Sequence, residues 1–201
     1  MFIRRENFKQ FIKFYPVVSA IIALNLIVYI ITLLPNIGDW LYIYGVNVNS
    51  LLANGQWWRL VTSIFVHAGL MHVLLNMFSL FLFGPELEKI GGKARFLTIY
   101  LLSGIFGNVA TFLFQDPLYA STGASGAIYG IFGAFAALVY YTRNTIPQLK
   151  QVVLPLIVIG VIVTFVSPGV NATAHLGGLI VGFLLGLSYF SPKNIIRWRK
   201  G

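Results

Sequence analysis

The 201-residue chain is 58% hydrophobic and only 9% charged, with a mean hydropathy of +0.83, whereas a soluble domain is about a quarter charged. An ordinary soluble globular fold is excluded. The sequence has no cysteine, which removes disulfides, thiolate metal sites and cysteine nucleophiles from consideration.

In chain order, six apolar runs stand out, at 17–34, 66–83, 96–114, 125–141, 152–166 and 172–190; each is near the roughly 20 residues that a membrane-crossing helix needs. They predict an all-α polytopic membrane protein, a six-helix bundle forming one membrane domain over residues 1–201. The first run follows Arg4, Arg5, Lys9 and Lys13 as a cleavable signal would. It is too long for one, and it leads into Pro35-Asn36-Ile37-Gly38-Asp39 rather than a small-residue cleavage site, so it reads as a retained span. The connection 35–65 carries Trp40, Tyr42, Tyr44, Trp57 and Trp58, ring types that settle at headgroup depth, and is predicted to be a partly helical outer loop lying in the interface. The fifth run contains Pro155 and Gly160, breakers that are tolerated where neighbouring helices cover the backbone.

Alternating spans place Arg4, Arg5, Lys9, Lys13, Lys89, Lys93, Arg95, Arg143, Lys150, Lys193, Arg197, Arg199 and Lys200 on one side and only Arg59 on the other. This asymmetry puts both termini in the cytoplasm. The net charge of +9 is spread over four short juxtamembrane segments without a nucleic-acid motif. It therefore reads as orientation and attraction to anionic lipid rather than nucleic-acid binding.

Polar groups inside spans are expensive, so each calls for an explanation. The five carboxylates, Glu6, Asp39, Glu86, Glu88 and Asp116, are assigned to tails and loops. That argues against a paired-aspartate protease, a proton-coupled transporter and a serine triad with a buried acid, and no His-Glu-x-x-His zinc motif is present. The candidates singled out inside are His67, His72, Asn76, Ser125 and His175. His72 lies 17 residues before Lys89, Ser125 18 before Arg143 and His175 18 before Lys193. At about 1.5 Å per residue the three share one level, roughly 26 Å from the inner basic ring. Asn76 follows His72 at i+4, on the same helix face. Gly126, Gly130 and Ala134 after Ser125, and Gly178, Gly182 and Gly186 after His175, form small-residue stripes that let helices approach closely. If the stripes face each other, the Ser125 hydroxyl comes within hydrogen-bond reach of a His175 ring nitrogen, the pairing that activates a serine.

Plainer readings compete at each position. A serine in Gly123-Ala124-Ser125-Gly126 is, by itself, more often packing filler, and a lone histidine often only bonds a neighbouring helix. His67, near the interface, is the residue most simply read that way. Metal binding by the histidines is disfavoured because His67 and His72, five apart on one helix, point about 140° apart.

With these residues placed, the chain resembles the rhomboid family of intramembrane serine proteases over nearly its whole length, in the six-span form. The matching motifs are Trp58-Arg59, His67 with His72-Val73-Leu74-Leu75-Asn76, Gly123-Ala124-Ser125-Gly126, and Ala174-His175-Leu176-Gly177-Gly178. The resemblance implies a dyad of Ser125 as nucleophile and His175 as general base. It also implies an oxyanion hole from the Asn76 amide, the His72 ring and the Ser125 backbone N–H, shaped by Gly123, with Tyr129 stacked on the base. Trp58, Arg59, His67, Glu88, Gly126 and Gly178 take structural or interfacial places. The implied activity is hydrolysis of peptide bonds in or near the transmembrane segment of single-span membrane proteins, through an acyl-enzyme, with no cofactor and no metal. The site would open to the outer face. The fifth span and the loop Ser167-Pro168-Gly169 are the candidate gate. Without an organellar presequence, a bacterial plasma membrane is the expected location. Two other classes compete: a non-proteolytic rhomboid-like binding factor, usually marked by loss of the nucleophile or base, and a small transporter, for which no internal repeat is visible.

Overall fold

The structure is a computed structural model, and it describes residues 6–144 and 146–192. Arg4, Arg5, Lys193, Arg197, Arg199 and Lys200, which enter the argument for sidedness, lie outside the described residues. The elements in order are α1 (Phe8–Phe14), α2 (Pro16–Thr32), α3 (Ile37–Gly45), β1 (Asn47–Val48), α4 (Asn49–Ala53), α5 (Arg59–Thr62), α6 (Leu70–Gly91), α7 (Lys93–Phe114), β2 (Ala120–Ser121), α8 (Ser125–Thr142), α9 (Pro147–Val166) and α10 (Ala172–Tyr189). Among the described residues, α6 to α10 are long and apolar enough to cross a membrane; a sixth span is reached if α1 and α2, bent by 111°, count as one. The all-α membrane bundle is the observed architecture.

α8 is the hub. Its buried residues run nearly without a break from Gly126 to Val139, so it is apolar on all sides and enclosed by neighbours. In contrast, only 22% of the apolar window of α9 is buried, against 72% for α8. α9 therefore turns most of its surface outward, as a helix at the lipid edge of a bundle does.

The second predicted loop is corrected. Residues 84–95 do not form a connection: α6 runs through Gly84-Pro85 to Gly91, and Gly92 alone, at φ 80°, turns the chain into α7. Glu86 and Glu88 are thus on a helix, not in a loop. The reason is tertiary. Glu88 is 3% exposed, and its carboxylate accepts the N–H groups of Val17 at 3.1 Å and Val18 at 2.9 Å. Pro16 opens α2 and Tyr15 supplies no side-chain cap, so Glu88 satisfies donors that a helix N-terminus leaves open and places a negative charge at the positive end of its dipole.

The segment 35–65 contains three short helices, α3, α4 and α5. Trp40, Trp57 and Trp58 remain exposed, and the Trp58 indole donates to the Tyr44 carbonyl at 3.2 Å. Arg59 is the pin of this segment: it is 2% exposed, with Nε donating to Gln56 Oε1 at 2.8 Å and one terminal nitrogen to the carbonyls of Ile43 and Val46 at 2.8 and 2.5 Å. Desolvation by burial lowers its pKa from the ordinary value, with Tyr44 opposing. The one basic residue that the sequence assigns to the sparsely charged side thus has a structural occupation. Lysine has no planar fork to meet these three oxygens. Arg59→Lys is expected to destabilise the protein by about 2–3 kcal/mol, the worth of one or two charged hydrogen bonds. Thermal unfolding in detergent measures this, and an unchanged midpoint would remove Arg59 as the pin.

The segment is also tied to the loop before α8. β1 pairs antiparallel with β2, Asn47 opposite Ser121 and Val48 opposite Ala120. The Asn49 side-chain amide donates to the carbonyls of Thr111, Gln115 and Asp116 at 3.0–3.2 Å, closing the end of α7. These contacts fix the approach to Ser125.

Candidate active site

Ser125 is the first residue of α8, His175 the fourth of α10 and His72 the third of α6. The equal depth read from residue counting reflects this: each lies in the first turn of a helix starting at the same end of the bundle. All three line one cavity of about 620 Å³, together with Asn76, Tyr129 and the segment 168–171.

The small-residue stripes do face each other. A Cβ added to Gly178 would strike the Gly126 carbonyl oxygen, and one added to Gly182 the Gly130 carbonyl oxygen. α8 and α10 therefore touch backbone to backbone, which brings Ser125 and His175 to the same cavity. Gly178 and Gly126 lie at this contact. Among the described residues no hydrogen bond of 3.5 Å or shorter joins Ser125 to His175. Such bonds are often loose without substrate and tighten on binding.

The loop ahead of Ser125 needs a glycine. Gly123 has φ 106°, its N–H donates to the Ser63 carbonyl at 2.8 Å, and a Cβ there would lie 2.5 Å from His72 Nε2 and 3.6 Å from Asn76 Nδ2. Only a residue without Cβ takes that backbone conformation while the His72 ring lies against it. Asn76 is 7% exposed, and its amide donates to the His72 carbonyl at 3.0 Å; an amide NH2 carries a second N–H. Ser125, as the first helical residue, has a backbone N–H with no intrahelical acceptor. The cavity thus gathers several donors around the Ser125 hydroxyl and the His175 imidazole.

His67 is not on the helix. It precedes α6, its Nε2 accepts the Ala124 N–H at 3.4 Å, and its ring meets that of His72 edge-on with centroids 5.0 Å apart. The expectation that the two rings diverge is corrected, since the 140° separation applies only within a continuous helix and α6 begins at Leu70. Among the described residues no group of three or more His, Cys, Asp or Glu is placed to hold a metal ion.

Tyr129 stacks on His175, with centroids 4.0 Å apart and planes 16° from parallel. Its hydroxyl lies 2.6 Å from Thr164 Oγ1 and donates to the Gly160 carbonyl at 2.5 Å. Thr164 Oγ1 in turn lies 2.8 Å from His175 Nδ1. Thr164 is the residue that sequence reasoning missed. Trp58, Arg59 and Glu88 stand apart from the cavity, in the contacts described above.

Comparison with known proteins gives a consistent picture. The family model for the Rhomboid domain matches residues 54–192. YdcA of Bacillus subtilis strain 168, which carries a provisional rhomboid protease name, is 43% identical over 198 residues, 96% of this chain and 98% of that one. Rhomboid protease GluP of the same organism is 36% identical over 156 residues, 77% of this chain and 30% of that one. Rhomboid-type serine protease 2 of Emericella nidulans is 34% identical over 160 residues, 78% and 32% of the two chains. The chain spans nearly all of the first relative and about a third of each of the other two.

Proposed function

The chain belongs to the rhomboid family, and from that membership we propose that it is an intramembrane serine protease using Ser125 and His175 as its dyad. The observation that carries the reading is the shared cavity. It gathers the Ser125 hydroxyl, the His175 ring under Tyr129 and the donors of Asn76 and His72.

In the proposed reaction, His175 Nε2 takes the Ser125 hydroxyl proton as Oγ bonds to the scissile carbonyl carbon. The oxyanion of the tetrahedral intermediate is received by the Ser125 N–H, an Asn76 amide N–H and the His72 ring, donors whose loss typically costs 10²–10³ in rate. The intermediate collapses with cleavage of the C–N bond, and the proton on His175 passes to the leaving amine. Water then repeats the sequence on the acyl-enzyme, restoring Ser125 and releasing the carboxylic acid. Neither half needs a cofactor.

A substrate helix must unwind before its carbonyl is accessible, because its backbone groups already bond each other. Single-span proteins with small or helix-breaking residues near the cut are therefore the proposed substrates. The distribution of basic residues supports cytoplasmic termini, with the Ser125 end of the bundle toward the outer face of a bacterial plasma membrane. The test is purified protein in liposomes with a single-span test substrate. Wild type should cleave it and His175→Ala should not; equal cleavage by both would remove the dyad.

A further inference from the structure

The base of a serine hydrolase has to present one nitrogen to the serine in a fixed tautomer, a task usually given to a carboxylate on the other nitrogen. Among the described residues no carboxylate lines this cavity. The group found at His175 Nδ1 is the Thr164 hydroxyl, 2.8 Å away. Thr164 is 3% exposed, and the other buried residues of α9 among the described side chains, Leu149 and Val153, lie toward its far end. A polar residue is thus the buried contact of the lipid-facing helix at the level of the cavity, where an apolar one would be expected.

On the reading that His175 is the general base, we propose that Thr164 is its positioning residue. Its Oγ1 accepts the His175 Nδ1–H and holds the ring in the tautomer whose Nε2 lone pair is left for Ser125. The rest of the hydrogen-bond pattern supports this direction. The Tyr129 hydroxyl gives its single proton to the Gly160 carbonyl at 2.5 Å, so the Thr164 proton goes to the Tyr129 oxygen at 2.6 Å or to the same carbonyl at 3.0 Å, and either way the Thr164 lone pairs are left to accept from His175 Nδ1. Tyr129 fixes the plane of the ring by stacking, and Thr164 fixes its rotation within that plane. When Nε2 takes the serine proton the ring becomes an imidazolium, and the Nδ1–H bond to Thr164 becomes charge-assisted and stronger. The residue takes the orienting role of the triad acid without bringing a charge into the membrane. The same bond ties the base to α9, so that an outward displacement of α9 would release Nδ1.

The experiment uses the full chain in detergent micelles. Thr164→Val removes the hydroxyl at nearly constant shape and is expected to lower kcat roughly 10- to 100-fold at little changed KM, part of the 10²–10⁴ that a positioned base contributes. Thr164→Ser restores the hydroxyl and should return kcat to within a few-fold of wild type. Nitrogen-15 NMR of histidine-labelled protein, with His175 assigned by difference against His175→Ala, should show an Nδ1–H tautomer in wild type and a mixture in Thr164→Val. Wild-type kcat in Thr164→Val, a Thr164→Ser variant as slow as Thr164→Val, or an Nε2–H tautomer in wild type would each overturn the proposal. The last readout decides the matter even if Thr164→Val does not fold. Retained cleavage by His175→Ala would instead overturn the dyad itself, a separable result.

Discussion

Ser125→Ala is expected to abolish cleavage of a membrane substrate, lowering kcat by at least about 10⁴-fold, toward the background that the remaining donors supply. The expectation follows from geometry as much as from family. The Ser125 hydroxyl shares its cavity with a stacked imidazole and the Asn76 and His72 donors, and it stands on the first residue of a helix. Nucleophile and base act as a unit, so their losses do not add. The double variant Ser125→Ala with His175→Ala should be no slower than either single variant. Ser125 is half-buried and its hydroxyl holds no structural contact among the described residues, so its removal should leave the thermal midpoint in place. Gel-resolved cleavage in liposomes and a melt in detergent measure both. A folded Ser125→Ala protein that still cleaves would end the serine mechanism, whereas a collapsed midpoint would mean that Ser125 is a packing residue.

The site was readable because charge is so scarce. Ser125, His175 and His72 stood out as polar groups at one depth, with Asn76 one turn further along the His72 face, and the structure explains that depth by three helices starting at one end of the bundle. The facing of the glycine stripes was readable for a similar reason, since spacing by four keeps small residues on one side of a helix. Helix boundaries were not. Gly84-Pro85 followed by charges has the look of a helix end, yet the burial of Leu87 and Glu88 carries α6 on to Gly91. His67 was misplaced because an apolar run starting at Val66 hides the turn before Leu70, and only tertiary contact brings its ring to His72. Thr164 gave no signal at all. A threonine in an apolar run can satisfy its hydroxyl on the i−4 carbonyl, so its presence there costs little and asks for no explanation. The pairing of β1 with β2 was invisible because two residues per strand carry no period.

Gly182→Ala is expected to destabilise the protein by about 3 kcal/mol or more and to cut cleavage at least tenfold, although Gly182 is far from the substrate. A Cβ there would run into the Gly130 carbonyl group and its Cα. These are backbone atoms in the middle of the most buried helix, so no side chain can rotate aside and the two helices themselves must part. Inserting one methyl into a close-packed core commonly costs about 1–3 kcal/mol, and a backbone obstacle lies at or beyond the upper end. Gly182 is seven residues below His175, about 10 Å along the axis, so the separation is transmitted to the proposed dyad. A misplacement of about 1 Å at reacting groups can cost on the order of 10²-fold in rate. Gly126 belongs to the same interface and provides the contrast. A Cβ there would first meet the Ala174 carbonyl oxygen at 3.4 Å, an ordinary contact, so Gly126→Ala should leave the thermal midpoint within the range of a neutral substitution. The sequence presents Gly126 and Gly182 as equivalent steps of facing stripes, whereas the structure separates them by the distance to a carbonyl. If both alanine variants melt alike, it is not backbone contact at Gly182 that sets the spacing of Ser125 and His175.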